Sequence, residues 1–432
     1  MGAKVLVVGG GGREHALAWK LSQSPEVAEV LCAPGNGGTA GVARNVPTSA
    51  EDVEGLLSLA AREGVDFTAV GPEAPLVAGI GDRFAERGHL LLGPTAAAAR
   101  IEGSKAFAKE LMREAGVHTA EFHIFDSAAE AKGFLRGCSP KANWAVKADG
   151  LAAGKGVLLC RSREEALAAV EAIMEKRAFG EAGSRVVVED LLGGEEASCL
   201  ALSDGERFLL LPSCQDHKAI GEGDTGPNTG GMGAYSPAPV VAPEVEEKVR
   251  TKVLAPTLRA LARRGTPYRG VLYAGLMVVE GEPLVLEFNC RFGDPEAQPL
   301  MVRLEGDLLP ALRAAASGDL RGVELPFSPE PAVCVVMAAE GYPGPYRKGD
   351  LIEGLEEAAK VEGVTLFHAG TARQGERLVT SGGRVLGVTA RAPFLPVALE
   401  RAYRATGLIR WRGAYYRRDI GGRALARWSG PG

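Results

Sequence analysis

The sequence is short of most things that would mark a secreted, membrane-spanning or nucleic-acid-binding protein. Its seven cysteines stand singly, at 32, 138, 160, 199, 214, 290 and 334. An odd number with no CxxC spacing argues against both a disulfide framework and a zinc site. Long apolar runs are missing. The first, Val5 to Val8, ends in glycines and reads as a buried strand, and nothing approaches the roughly 20 residues that span a bilayer. With no signal peptide legible either, a cytoplasmic enzyme is expected. The net charge of −5 offers no global attraction to nucleic acid or an anionic membrane. A phosphate-bearing ligand would have to be held by local charge. Internal repeats and low-complexity stretches are also missing.

What is present is a globular composition, 46% hydrophobic and 24% charged over 432 residues. That length is too great for one ordinary core, so two to four domains are expected. The first hundred residues alternate strand and helix. Strands are read at Lys4–Val8, near Glu29–Cys32 and at Phe67–Val70, with helices from about Arg13 to Ser22, Glu51 to Glu63 and Gly81 to Arg87. This predicts a doubly wound parallel sheet with ligands at the carboxyl ends of its strands. A second, α+β region runs from about 101 to 325. Within it Ser127-x-x-Glu130 and Ser162-x-x-Glu165 read as capping boxes. Long β segments are expected at about 185–211 and 270–290, with a helix at 244–264 between them. The tail reads as strands with Gly-rich turns and one helix near 394–405.

Several loops carry chemistry. Gly9–Gly12 follows a strand and opens a helix, so its N–H groups can approach an anion, or its glycines can simply make a tight turn. A nicotinamide dinucleotide site is opposed by Glu14, where the third glycine would fall, and by Ala33-Pro34, where a ribose-binding acid belongs. In Lys147–Val157 two lysines bracket a loop of small residues, which suits a lid over nucleotide phosphates. It is not a Walker A loop, because Gly156 stands where Ser or Thr is required. Val186–Glu196 is a buried-strand run ending in acids and glycines. It is either a solvated hairpin or, beside the lysine loop, a hinge whose backbone reads adenine. In Leu284–Glu296, strand alternation puts Glu287 and Asn289 on one face with Arg291 two residues on. A carboxylate and an amide oxygen are hard ligands suited to Mg²⁺. The glycine-rich stretch Gln215–Tyr235 reads as a substrate-covering loop. His15 and His217 are candidates only through their neighbours, and the other histidines read as ordinary.

The motifs GGGGREHALAW (9–19), PGNGGTA (34–40), GPEAPLVAG (71–79), EGSKAFAKE (102–110), KADGLAAGKGV (147–157), GEEAS (194–198), the 215–235 loop and LEFNCRFGDPEAQ (286–298) occur in an order that resembles the glycinamide ribonucleotide synthetase family of the ATP-grasp superfamily. The resemblance covers essentially the whole chain. It implies an N-terminal doubly wound α/β substrate-binding domain (1–100), a central ATP-grasp domain (101–325) with a mobile lid at about 120–190, and a small C-terminal β-rich domain (326–432). It also implies ATP-dependent ligation of glycine to 5-phosphoribosylamine through glycyl phosphate in purine biosynthesis, with Mg²⁺, or alternatively Mn²⁺, as the metal. Another ATP-grasp carboxylate–amine ligase, a carboxylase or a formate-using transformylase is the competing reading. Nucleic acid and membrane are not expected partners, and the chain would act as a monomer or weak oligomer.

Carried over by motif, Lys105 and Lys147 would contact ATP phosphates under a lid containing Gly150, Gly154, Lys155 and Gly156. Glu189 to Leu192 would read adenine and Glu195 would hold the ribose. Glu287 and Asn289 would bind the metal, and the phosphoribosyl group would lie near Gly10, Gly11, Gly12, Asn36, Glu73 and Arg291. Lys218, Asp216 and Asp294 would place glycine and the amine, with Arg291 neutralising charge. Two positions depart from the family pattern. Ala219 follows Lys218 where arginine is common, and 271–279 contains no acid where many ATP-grasp relatives carry a metal-binding carboxylate.

Overall fold

The computed structural model describes residues 2–152 and 155–427. Its N-terminal unit is a five-stranded parallel sheet in the order Arg44–Asn45, Val27–Pro34, Ala3–Gly9, Phe67–Val70, Leu91–Leu92. The middle strand is apolar without alternation because both its faces are covered. Val5 and Val7 pack with Leu17 and Leu21 of the helix Gly12–Leu21, while Leu6 and Val8 pack with Leu56 and Leu59 of the helix Val53–Glu63. Asp52 caps the second helix through Gly55 N–H at 2.9 Å, and Gly64, at φ 65°, ends it in the left-handed conformation.

Two further sheets enclose the central space. One is antiparallel, in the order Phe208–Leu210, Glu195–Asp204, Arg269–Val279, Glu282–Asn289. The other runs Phe122–Phe125, Val186–Asp190, Trp144–Ala148, Val157–Cys160 and has its own core, to which Ala166, Val170 and Ile173 contribute from one helix face. Neither expected capping box forms in full: Ser162 Oγ accepts from Glu165 N–H at 3.2 Å but the Glu165 carboxylate accepts from Arg161 N–H at 2.7 Å instead of closing the box, and Ser127 makes no side-chain cap bond. The expected β run at 185–211 is interrupted. Val186–Asp190 belongs to one sheet and Glu195–Asp204 to the other, so Leu191–Gly194 is where the chain crosses between them. The expected helix at 244–264 is present as a continuous helical run, Pro243–Lys248, Val249–Leu254 and Ala255–Arg263. Its middle segment is a wider turn just ahead of Pro256, which has no N–H to donate.

The last sheet is not built from the tail alone. Its order is Gln215–Asp216, Gly233–Ser236, Ala332–Ala338, Arg384–Arg391, Val364–His368, and the helix Leu395–Leu408 packs on it. All seven residues of Ala332–Ala338 are buried. That strand therefore needs a neighbour on each side, and the glycine-rich stretch supplies one of them. Among the described residues no helix is long and apolar enough to cross a membrane.

Candidate active site

A cavity of about 620 Å³ lies between the two central sheets, and most of the residues singled out from the sequence line it. On one side are the lysines. Lys147 lies in the strand Trp144–Ala148, and Glu189 lies on the neighbouring strand, paired through Ala145. Glu189 is almost fully buried between two ammonium groups, Lys147 and Lys109, each at 2.7 Å. Burial pushes the Lys109 ammonium down to about 8, although Glu189 opposes the shift. Lys105 opens the helix Lys105–Ala115, capped by Ser104, and its Nζ donates to Gly150 O at 3.2 Å. Asp149 fastens the lid loop to that helix start by accepting from Ala106 N–H at 2.7 Å and Ser104 Oγ at 3.0 Å. Burial also lowers the Lys105 pKa, partly offset by Glu287.

Across the cavity, Glu287 and Asn289 both line it from the strand Glu282–Asn289, as alternation requires. Burial alone would raise the Glu287 carboxyl. Lys218, Lys147, Lys105 and Arg291 outweigh burial and hold it at about 2, so it is an anion throughout the physiological range. Lys218 lies 3.1 Å from Glu196 and 3.5 Å from Glu287. Arg291 bridges Glu73 (3.2 Å) and Glu102 (3.0 Å) and donates to Asn289 Oδ1 at 3.3 Å. No group of three or more His, Cys, Asp or Glu among the described residues could enclose a metal alone. The strand Arg269–Val279 offers Tyr273 and Met277 to the cavity instead of an acid. Two hard oxygen donors opening onto a cavity fit an ion that keeps water and phosphate oxygens as its other ligands.

The floor is made by Asp216, Lys218 and Asp294, all of which line the cavity. Asp294 accepts from Gln298 at 2.8 Å and from Arg384 at 3.0 Å. Arg384, from the last sheet, also donates to Asp294 O at 2.6 Å and Gly230 O at 2.5 Å. Nearby, Glu296 Oε1 accepts from Ser198 Oγ and Tyr273 Oη, both at 2.9 Å.

Gly156, Leu192, Glu73 and Arg291 line the same cavity, but some expected site residues do not. Glu195 needs correcting as the ribose ligand. It lies on the opposite face of its strand and pairs with Arg427, whereas its neighbour Glu196 faces the cavity. Gly10, Gly11, Gly12 and Asn36 are outside the lining. The Gly11 N–H, expected to be open to an anion, already donates to the buried carboxylate of Glu14 at 2.5 Å. Asn36 spends its amide on Gly10 O (3.0 Å) and His368 O (2.8 Å), so it holds the loops together. Gly11 and Gly12 still border the site, since a Cβ on either would lie 3.4 Å from Asp294. Lys155 donates to Pro343 O at 3.0 Å and joins the lid to the last unit; Gly154 lies outside the described residues. Ala219 leaves its place to the backbone: its carbonyl accepts from the buried Arg417 at 3.0 Å.

Glu102, Lys109, Glu196, Tyr273, Glu296 and Arg384 escaped the sequence reading. Glu102 and Lys109 fall inside EGSKAFAKE and Glu296 inside the 286–298 motif, where the signal was available; Arg384 had none. The two candidate histidines are structural. His217 Nε2 accepts from Gly421 N–H at 3.3 Å, and His15 Nδ1 accepts from His368 N–H at 2.8 Å. Burial holds them at about 4 and about 3, so both are neutral.

The arrangement can neutralise a polyphosphate, hold one hard cation and present acids and a lysine to a small polar substrate. Residues 3–102, 103–297 and 332–423 match the N, ATP-grasp (A) and C domains of phosphoribosylglycinamide synthetase respectively. The phosphoribosylamine–glycine ligase of Pseudomonas aeruginosa is 52% identical over 429 residues, 99% of each chain. That of Chlorobaculum tepidum is 51% identical over 98% of this chain and 100% of its own. The crystal structure of the phosphoribosylamine–glycine ligase from Thermotoga maritima superposes with a TM-score of 0.85 at 32% identity, covering 97% of this chain and 100% of that one. The biotin carboxylase domain of Hydrogenobacter thermophilus 2-oxoglutarate carboxylase shares the fold, with a TM-score of 0.73 at 19% identity over 96% of this chain and 92% of that one.

Proposed function

The chain belongs to the phosphoribosylglycinamide synthetase family, and on that premise we propose that it ligates glycine to 5-phosphoribosylamine in purine biosynthesis, converting ATP to ADP and phosphate. The observation that carries this reading is the single cavity shared by Lys105, Lys147, Glu287, Asn289, Arg291 and Asp294. A carboxylate at neutral pH is a poor acyl donor and must first be activated. The glycine carboxylate attacks the γ-phosphorus, the bond to the bridging oxygen breaks, and glycyl phosphate and ADP result. The neutral amine of phosphoribosylamine then attacks the acyl carbon, phosphate departs, and the new amide nitrogen loses a proton.

In this reading the protein positions and neutralises charge. Lys105, Lys147 and Arg291 face the phosphates, the crossing at Leu191–Leu192 reads adenine, and Glu196, rather than Glu195, takes the ribose. A divalent ion, Mg²⁺ with Mn²⁺ as the alternative, would be held by Glu287 and Asn289 and supplies further neutralisation of phosphate oxygens when bound. The segments around Leu151–Ala152 and Gly156, with the glycine-rich stretch at 215–235, exclude water that would hydrolyse the acyl phosphate. Divisions near residues 100 and 325, and a cytoplasmic setting, belong to the same proposal.

The test is a coupled assay with phosphoribosylamine generated in place, ATP, Mg²⁺ and glycine. ADP and glycinamide ribonucleotide are expected together, and neither with bicarbonate or formate replacing glycine. ADP release driven by bicarbonate or formate but not by glycine would overturn the assignment.

A further inference from the structure

The strands Ala219–Gly221 and Thr225–Asn228 form a hairpin that joins no larger sheet among the described residues. Only Ala219↔Asn228 and Gly221↔Thr225 pair across it, with an irregularity between them, and residues 222–227 are exposed. So short a hairpin does not hold its shape in water by itself. Both of its ends nevertheless belong to the cavity wall. Lys218 lines the cavity just before the hairpin, and Asn228, Thr229 and Gly230 line it at the other end. Thr229 ties these ends together, its N–H and Oγ1 donating to Lys218 O at 2.7 and 2.8 Å. A swing of the hairpin therefore moves that stretch of wall.

What steadies the hairpin comes from the C-terminal end of the chain. Arg417 is only 1% exposed. Its guanidinium donates to Ala219 O and to Asp224 Oδ1, both at 3.0 Å, so one planar group grips the root of the hairpin and its turn. Asp419 holds the guanidinium from the other side, accepting from Nε at 2.8 Å and Nη2 at 2.7 Å, and it also accepts from Gly223 N–H at 2.8 Å. Asp224 itself is left-handed, at φ 57°, a conformation that persists in a residue with a side chain where its surroundings fix it. A buried guanidinium is costly, and an apolar side chain could fill the same space with less penalty. What an apolar side chain could not do is fasten two points of an exposed hairpin in one geometry.

We propose that Arg417 is a positioning residue for the ligation. It keeps the hairpin against the cavity so that the activated acyl group meets the amine and not water, an assignment that rests on the reading of the site as a glycine ligase. With the hairpin loose, water attacks the acyl carbon of glycyl phosphate and the bond from that carbon to the phosphate oxygen breaks. Glycine and phosphate are returned and the attacking water gives up a proton. ATP is consumed and no amide forms.

The readout is the ratio of ADP to glycinamide ribonucleotide, with phosphoribosylamine generated in place. Loss of folded enzyme lowers both products together and leaves this ratio alone. Tight coupling in the wild type gives equal amounts of the two. Arg417→Lys keeps the charge and loses the planar fork, and in it the ratio should rise at least about twofold, with the KM for ATP unchanged. Should that variant fail to fold, Asp224→Asn carries the test. It lies on the exposed turn, tolerates the left-handed backbone and weakens one of the two grips, so the ratio should rise by a smaller factor. Equal amounts of ADP and product in the folded variants overturn the role of Arg417 and leave the functional reading standing. A wild-type enzyme that releases no ADP with glycine and phosphoribosylamine overturns the functional reading itself.

Discussion

Glu189 stands between Lys109 and Lys147 with almost no water around it, so a single carboxylate balances two buried charges in the cavity wall. Removing one member of such a set strands the others. Glu189→Gln should lower stability by about 3 kcal/mol, read as a shift of the urea midpoint, because buried charges left unpaired cost about 3–5 kcal/mol. An unshifted midpoint would show that the lysines find water instead. The neighbouring pair Glu195 and Glu196 gives a sharper comparison. Glu196→Ala should raise the KM for ATP severalfold, whereas Glu195→Ala, which loses only the Arg427 contact, should leave it unchanged. The family resemblance points to Glu195, but only one of two adjacent strand residues can face the ligand, and which one is set by the register Glu196↔Met277 against a strand some eighty residues away. Glu287 and Asn289 were legible because their own strand is otherwise apolar, so the polar face announced itself.

On the proposed reading, the loop that ends at Gly156 closes over the nucleotide. A Cβ at Gly156 would lie 2.6 Å from Ala152 Cβ and 3.3 Å from Ala148 Cβ, so any side chain there forces the loop outward. Gly156→Val should reduce kcat/KM for ATP at least tenfold while the melting temperature stays within a few degrees; unchanged ATP kinetics would mean that the loop closes by another route. Most elements could be read from local pattern, the N-terminal βαβ alternation and the helix from 243 to 263 among them. What escaped was the break at Leu191–Gly194. An apolar run followed by glycines gives the same signal whether the chain turns back on itself or leaves one sheet for another. The membership of Gly233–Ser236 in the last sheet, and through it that of Gln215–Asp216, escaped for the same reason, since Gly233–Ser236 pairs with Ala332–Ala338 about a hundred residues on.

Across the whole molecule, His15 and His217 sit at seams between distant segments and are held neutral by burial, His217 also by Arg417 and Arg423. Their folded-state pKa values lie below the unfolded value of about 6.5, so between about 6.5 and 4 the unfolded chain binds more protons than the folded one. Stability is therefore complete above pH 6.5 and falls as pH drops through that window, by about 3 kcal/mol for His217 alone. Denaturant midpoints measured from pH 7.5 to 4.5 should decline, and more gently in His217→Gln; parallel slopes would remove His217 as the cause. Arg384 belongs to this scale as well, because it ties the last sheet to Asp294 and to Gly230. Arg384→Ala should lower kcat more than it raises any KM, and Arg384→Lys should restore only part of it, since one ammonium cannot reach both segments. No local pattern could have revealed that residue, whose meaning comes only from the packing of one unit on another. The threading of Gly233–Ser236 alongside Ala332–Ala338 also governs how the gene can be divided. Severed near codon 326, the downstream fragment would emerge with a fully apolar strand bare along one flank. Copies of it would zip together flank to flank sooner than wait for the missing upstream half.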